Sequence, residues 1–239
     1  MISENGRGKI ALRRNKILDI LHKEKKVYIA NLSELLGASL VTIRNDLDVL
    51  ASQGELVRMA GGAVLPNDGS EHPRRLINNY EQKREIAESV AELIQDGDTL
   101  FINSGTTTLL VAEELKAKKN LSVVTNSVSV ATTLGGVPSF RVILLGGTIN
   151  TQYEFTYGAD TQDHLNRYGA DWAILSVDGV SSDGDISTCH AEEAIIDRIM
   201  IARAKKVLIA ADSTKIGRTG FSFVSRCDEK TKILTNKKF

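Results

Sequence analysis

The chain has 239 residues, 42% of them hydrophobic, and its 30 basic and 30 acidic side chains cancel to a formal net charge of zero. That length holds two modest domains or one large one, and the apolar share is that of a folded soluble protein rather than a disordered one. No apolar run reaches a membrane span, the N-terminus has no signal-peptide pattern, and Cys189, Cys227 and four histidines lack metal-ligand spacing, which excludes a membrane protein, a secreted precursor and a Cys/His metal site and leaves a reduced, cytoplasmic chain with no metal or cofactor.

The charge is unevenly spread. Residues 1–66 hold 10 lysines and arginines against 7 acids, and Arg7, Lys9, Arg13, Arg14, Lys16, Lys23, Lys25 and Lys26 crowd the start. Such a basic lead-in suits a phosphate backbone. Arg13 to Glu24 reads as a helix with Ile17, Leu18 and Leu21 on one face. Asn31 is placed to cap a short helix that ends at Gly37 and carries Leu32, Leu35 and Leu36. Ser39 is a good N-cap for the next helix, in which Ile43, Leu47 and Leu50 recur at buried spacing. Asn45 then points outward, Val41, Thr42 and Asp48 lean outward, and Arg44 lies on the flank. Arginine pairs with guanine edges, asparagine with adenine edges, and threonine with a phosphate or a thymine methyl. Asp46 falls toward the core side, as an intramolecular partner for a basic group. Gly54 is a plausible stop. Leu56–Met59 and Ala63–Leu65 flank Gly61-Gly62 as a hairpin, with Arg58 on the wing near phosphates. Helix, glycine turn and polar-faced helix are the layout of a DNA reader; an ordinary three-helix subdomain is the alternative. The DNA-contacting set is therefore Ser39, Thr42, Arg44, Asn45 and Arg58.

The clearest composition break follows, with Pro66, Asn67, Asp68, Gly69, Ser70 and Pro73. It divides the chain into a winged helix-turn-helix at 1–66, a linker at 67–79 and a second domain at 80–239. The second domain opens with an amphipathic helix, Tyr80 to Gln95, buried through Ile86, Val90, Leu93 and Ile94. Strands at Thr99–Ile102, Leu121–Val124, Arg141–Leu145, Ala173–Val177 and Val207–Ala210 then alternate with helices at Leu109–Lys116, Val128–Leu134 and Ala191–Ala204, and a last strand covers Lys232–Thr235. Nearly continuous apolar strands alternating with helices predict a buried, mostly parallel α/β sheet.

Ligands of such sheets bind beyond the carboxyl ends of the strands. Those ends carry Ser104-Gly105-Thr106-Thr107-Thr108, Thr125-Asn126-Ser127, Gly146-Gly147-Thr148, Asp178-Gly179 and Asp212-Ser213-Thr214-Lys215. Glycine lets backbone approach a ligand, and free amides at a helix start suit phosphate. The expected effector set is Ser104, Gly105, Thr106, Thr107, Thr108, Asn126, Ser127, Gly146, Gly147, Asp178, Gly179, Glu193, Asp212 and Lys215, with Lys215 as the phosphate's charge partner and the three acids on sugar hydroxyls. Taken singly, each turn is equally a capped connection and each acid a solvated loop carboxylate. Cys189-His190 reads as a half-buried thiol beside a surface histidine.

Val41-Thr42-Ile43-Arg44-Asn45-Asp46-Leu47, Gly54-Glu55-Leu56-Val57-Arg58 and Gly61-Gly62-Ala63 resemble the N-terminal domain of the DeoR-type bacterial transcriptional regulators. The chain departs from that pattern at Asn45, where a second arginine is usual, and at Ala60, where histidine is usual. The strand-end motifs, with Val177-Asp178-Gly179 and Glu193-Ala194, occur in the order of that family's effector domain, so the resemblance runs from about Arg13 to Asn236. It implies a fold similar to ribose-5-phosphate isomerase and CoA transferases, a phosphorylated sugar or related metabolite as effector, and no catalysis. Many members continue with another helix and strand past the last strand, which implies a sheet trimmed here or completed by a partner subunit. The reading that results is a repressor of sugar or carbohydrate metabolism genes, bound to a double-stranded operator as a homo-oligomer, dimer or tetramer, because symmetric oligomers suit paired half-sites. Two rivals stay open: an isomerase-like enzyme using Asp178, Glu193, Asp212 and Lys215 on an aldose phosphate, and an architectural DNA-binding protein with a vestigial pocket.

Overall fold

The structure, a computed structural model, describes residues 4–52, 55–59, 61–65 and 78–236. Gly54, Ala60 and the expected linker apart from Asn78 and Asn79 lie outside the described residues. The chain forms two compact units, residues 1–78 and 79–239.

The first unit runs α1 (Glu4–Glu24), β1 (Lys26–Tyr28), α2 (Ile29–Leu36), α3 (Leu40–Ser52), β2 (Val57–Met59) and β3 (Gly62–Val64). Its strands form an antiparallel sheet in the order β1-β3-β2. Ile17 and Leu21 of α1, Leu32 of α2, Ile43 and Leu47 of α3, and Leu56 meet in one core and are essentially inaccessible to solvent; each such side chain contributes about 1.5–3 kcal/mol of burial. The expected helix spacing in α3 is therefore what packs it.

Two local expectations are corrected. The first helix begins at Glu4 rather than Arg13. Asn31 does not cap α2: β1, an unexpected strand paired to β3, runs straight into the helix, so Tyr28 is the cap residue and Asn31 lies inside. Gly37 does end α2, in the left-handed conformation. Asp46, 2% exposed, takes hydrogen bonds from Arg13 Nε at 2.5 Å and Arg14 Nε at 2.9 Å. Part of the basic lead-in thus fastens α1 to the reading helix.

The second unit begins with α4 (Tyr80–Leu93). Then come β4 (Thr99–Ile102), α5 (Thr106–Leu115), β5 (Ser122–Thr125), α6 (Val128–Gly135) and β6 (Arg141–Leu144). A hairpin of β7 (Thr148–Asn150) and β8 (Phe155–Tyr157) leads to α7 (Ala159–Leu165) and β9 (Ala170–Ser176). After β10 (Gly179–Val180) and β11 (Asp185–Thr188) come α8 (Ala191–Arg203), β12 (Ala204–Ala210), β13 (Ser222–Arg226) and β14 (Thr231–Leu234). Six strands form one parallel sheet in the order β14-β12-β9-β4-β5-β6. The chain builds outward from β4 through β5 to β6, then returns to β9 and builds the other way. Crossovers share one hand, so helices reached in opposite directions cover opposite faces. A crevice opens at such a reversal, between β4 and β9. The hairpin, α7 and a three-stranded antiparallel sheet, β10-β11-β13, are additions to the expected alternation.

The β4–β9 ladder pairs only Leu100–Ile102 with Trp172–Ile174. Side chains extend it at both ends. At the amino end, Asp171 Oδ2 accepts from the Thr99 amide at 3.0 Å and the Thr99 hydroxyl at 2.6 Å, while Lys205 Nζ of β12 reaches Oδ1 at 2.8 Å. The Lys205 and Thr99 hydrogen bonds hold the Asp171 carboxyl down to a pKa of about 2. A carboxyl whose folded pKa is depressed stabilises the fold above its ordinary value near 4 and loses that contribution as pH falls through about 2. Asp171→Asn is expected to lower the melting temperature of the second unit at neutral pH, and the gap to the native chain should close by about pH 2 in an acid series.

Candidate nucleic-acid interface and effector site

The first turn of α3 is fixed by Ser39, whose Oγ accepts from the Thr42 amide at 3.1 Å and shares a 2.8 Å hydrogen bond with the Thr42 hydroxyl. Asn45 is exposed on the far side from Ile43 and Leu47, and Arg44 is exposed on the flank. Arg58 sits differently from a free phosphate contact. Its Nε binds Asp48 Oδ1 at 2.9 Å, its Nη1 binds the Gly62 carbonyl at 2.8 Å, and its side chain is 15% exposed. The wing is thereby pinned to the reading helix.

In the second unit, four of the expected effector residues join one hydrogen-bonded chain across the β4–β9 crevice. Ser104 Oγ, just past β4, reaches Glu193 Oε1 at 3.3 Å. Thr188 Oγ1 lies 3.1 Å from both Glu193 Oε2 and Asp178 Oδ2. Asp178 also accepts from the Cys189 amide at 2.9 Å, and Lys215 Nζ stands 3.4 Å from its Oδ1. A hydroxyl carries one proton, so Thr188 can satisfy only one of the two carboxylates at a time.

Gly105 begins α5, and a Cβ there would come within 2.6 Å of the Ser176 Cβ. Only glycine lets β4 turn into α5 this close to β9. Thr106 and Thr107 follow, buried in the first turn. Thr108 turns back, its hydroxyl donating to the carbonyls of Asn103 and Gly105 at 3.0 Å.

The remaining expected residues lie outside this hydrogen-bonded chain. Ser127 caps α6 through the Val130 amide at 3.2 Å. Gly146 accepts from Thr161 Oγ1 at 2.7 Å, and a Cβ on Gly147, at φ 141°, would strike that same hydroxyl at 2.1 Å. This pair serves the approach of α7 to the end of β6. Gly179 packs under the Arg218 carbonyl, 2.6 Å from where its Cβ would be. Asp212 binds its own turn, through the Thr214 amide at 3.0 Å and hydroxyl at 2.5 Å, and takes Asn79 Nδ2 at 3.3 Å. Asn126 is 1% exposed; its Nδ2 donates to the Thr156 carbonyl, and its Oδ1 is buried without a hydrogen-bond partner.

Three features were not anticipated. Asn103 extends the pairing at the carboxyl end of β4: its backbone amide donates to the Ile174 carbonyl at 3.3 Å, while its Oδ1 accepts from the Ser176 amide and its Nδ2 donates to the Ser176 carbonyl, both at 2.9 Å. The same Nδ2 reaches Asp197 Oδ1 at 2.9 Å. Asp197, one turn beyond Glu193 on α8, is 2% exposed, and its Oδ2 makes no hydrogen bond. Burial, then the charges of Glu193 and Asp178, push its carboxyl well above the usual range. The i, i+4 spacing of Glu193 and Asp197 was the available signal. The third feature is an aromatic bridge. The β7–β8 hairpin follows the end of β5, with the Thr156 amide on the Asn126 carbonyl at 2.8 Å. From its turn, Tyr153 packs on His190 at 4.4 Å between ring centroids, at the start of α8. This contact joins the hairpin beside β5 to the start of α8. The expected burial at Cys189-His190 is reversed: Cys189 is exposed and His190 is half-buried. Among the described residues no acidic, histidine or cysteine group is placed to hold a metal, and no helix is long and apolar enough to cross a membrane.

A winged reading helix and a parallel sheet with a polar crevice at its strand reversal define a DNA-binding regulator with a sensor domain. The model described as "DeoR-like helix-turn-helix domain" matches residues 13–68, and that described as "DeoR C terminal sensor domain" matches residues 78–237. The chain belongs to the DeoR family of transcriptional regulators, which are not enzymes. It is 36% identical over 208 residues to the glycerol-3-phosphate regulon repressor of Escherichia coli (strain K12), covering 86% of this chain and 82% of the relative. It is 33% identical over 224 residues to the HTH-type transcriptional repressor GlcR of Bacillus subtilis (strain 168), covering 92% and 86%. Among solved structures, eIF2B delta from Chaetomium thermophilum shares the fold with TM-score 0.50 and 15% identity, over 70% of this chain and 60% of that one. Ribose 5 phosphate isomerase A from Neisseria gonorrhoeae aligns with TM-score 0.43 and 20% identity, over 56% and 52%.

A carboxyl whose folded pKa is raised is compatible with the fold below its ordinary value near 4 and weakens it as pH rises toward the folded value. Asp197→Asn removes that ionisation and keeps an acceptor for Asn103. Its melting temperature is therefore expected to rise relative to the native chain between pH 4 and pH 8; a constant difference across that range would contradict the buried-acid assignment.

Proposed function

We propose that the chain is a repressor of sugar or carbohydrate metabolism genes whose operator affinity is set by a phosphorylated sugar or related metabolite bound at the β4–β9 crevice. The observation that carries this reading is the chain Ser104–Glu193–Thr188–Asp178–Lys215. It places a cation and hydroxyls beside carboxylates, next to the amide end of α5. Lys215 and the amides of Thr106 and Thr107 suit a phosphate. Asp178 and Glu193 suit sugar hydroxyls, and the unmatched Asn126 Oδ1 suits one more donor. The name of the glycerol-3-phosphate regulon repressor is in keeping with a phosphorylated metabolite.

On the DNA side, Ser39 and Thr42 set the first turn of α3, Arg44 and Asn45 address base edges, and Arg58 holds the wing in place. The two roles divide at residues 67–79. A homo-oligomer, dimer or tetramer, in the cytoplasm presents paired reading helices to two half-sites. The effector shifts operator affinity only by as much as it favours one state over the other.

A panel of sugar phosphates and the matching free sugars, read by thermal shift, tests the pocket. A ligand of the folded state at a hundredfold excess over its Kd adds about 2.7 kcal/mol. The expected outcome is a shift with a phosphate ester, absent with the free sugar and lost in Lys215→Ala. Operator binding should survive Lys215→Ala, while Arg44→Ala should weaken it by about 1–3 kcal/mol and leave ligand binding intact. A phosphate ester that binds Lys215→Ala as well as the native chain would displace the pocket from this crevice.

A further inference from the structure

The outward side of α3 is a narrow stripe. At about 100° per residue, Val41, Asn45 and Asp48 lie opposite Ile43, Leu47 and Leu50. The three members of the stripe have different fates. Asp48 is held by Arg58 at 2.9 Å, so its carboxylate is engaged within the protein. Asn45 is exposed. Val41 is 61% exposed in the first turn, beside Leu40 at 46%. A lone exposed apolar residue needs no explanation. An apolar side chain on the outward stripe of a reading helix, in the turn that enters the groove, is different. It has no hydrogen bond to offer a base edge, and the apolar group displayed in the major groove is the thymine methyl.

We propose that Val41 reads a thymine 5-methyl group within two base pairs of the adenine taken by Asn45. The proposal rests on α3 being the DNA reader. The spacing follows from the helix: four residues advance about 6 Å, close to two base-pair steps of about 3.4 Å. Val41 and Asn45 thus form one recognition element, with a methyl contact at the tip and a bidentate amide behind it. Leu40, rotated toward the core side, gives Val41 an apolar flank. Specificity at this end of the half-site is for A·T pairs, while Arg44 addresses a guanine on the neighbouring flank.

The test uses the full chain and duplexes enriched by it from a random pool. Each thymine of an enriched half-site is replaced in turn by deoxyuridine, which keeps the base pair and removes only the methyl. One replacement, within two base pairs of an enriched adenine, is expected to weaken binding by about threefold to fivefold, the worth of one buried methyl-sized group. Val41→Ala should bind the thymine and deoxyuridine duplexes equally at that position. Because the side chain is exposed, this variant should keep the native melting temperature. Equal binding of all deoxyuridine duplexes by the native chain, or retained methyl sensitivity in Val41→Ala, would overturn the assignment of Val41. Failure to enrich any sequence would overturn the DNA-reading role itself, so the two failures are distinguishable.

Discussion

The second unit depends on how β4 and β9 stay together where the sheet changes direction. Backbone pairing covers three residues of β4. One further backbone bond, from the Asn103 amide to the Ile174 carbonyl, closes the ladder. Asn103 continues past it with a side-chain amide that stands in for a peptide group, donating and accepting on the same residue, Ser176. Asp171 and Thr99 do the equivalent at the other end. The Asn103 amide also anchors Asp197 of α8, so strand pairing, helix position and the carboxyl cluster share one atom set. Gly105 is the steric counterpart: a Cβ there would collide with Ser176.

The first unit solves a smaller problem by similar means. Its three-residue strands and short α2 cannot hold a reading helix alone. Asp46 does so from the inside, between two arginines of α1, and Asp48 does so from the outside, through the wing. Both acids lie on α3, Asp46 on its buried side and Asp48 at the inner end of its outward stripe. α3 is thus braced by charge pairs on its inner and outer sides, and its leading turn carries none of them.

Much of this was legible in the sequence. β4 is found at the residues read from its apolar run, Thr99–Ile102, and the other sheet strands within a few residues, because strands covered on both faces must be apolar throughout. Ile43, Leu47 and Leu50 marked the buried face of α3 for the same reason. The elements that were missed are short and mixed in pattern, such as β10 with two residues and β11 with four. Glycines at positions 6 and 8 disguised the start of α1. Ser104, Asp178 and Lys215, read from strand ends and their following turns, and Glu193, read from the start of α8, do come together in one hydrogen-bonded chain. Asn103 and Asp197 were not legible, since a buried polar pair is defined by what faces it and not by its own neighbours. Asp212 and Ser127, also read as effector residues, make hydrogen bonds within their own turns, because aspartate and serine cap backbone as readily as they bind ligands.

The Asn103 clamp has a mechanical corollary. A floor stitched at both ends of β4 does not spread to fit a guest. Whatever enters the crevice must be accommodated by its ceiling, the hairpin turn that carries Tyr153 and the first turn of α8 behind His190. Those two pieces meet through the rings of Tyr153, Phe155 and His190, whereas the floor is tied by hydrogen bonds. From that ceiling α8 leads away, 13 residues long, with Glu193 in its first turn and β12 following directly at its far end.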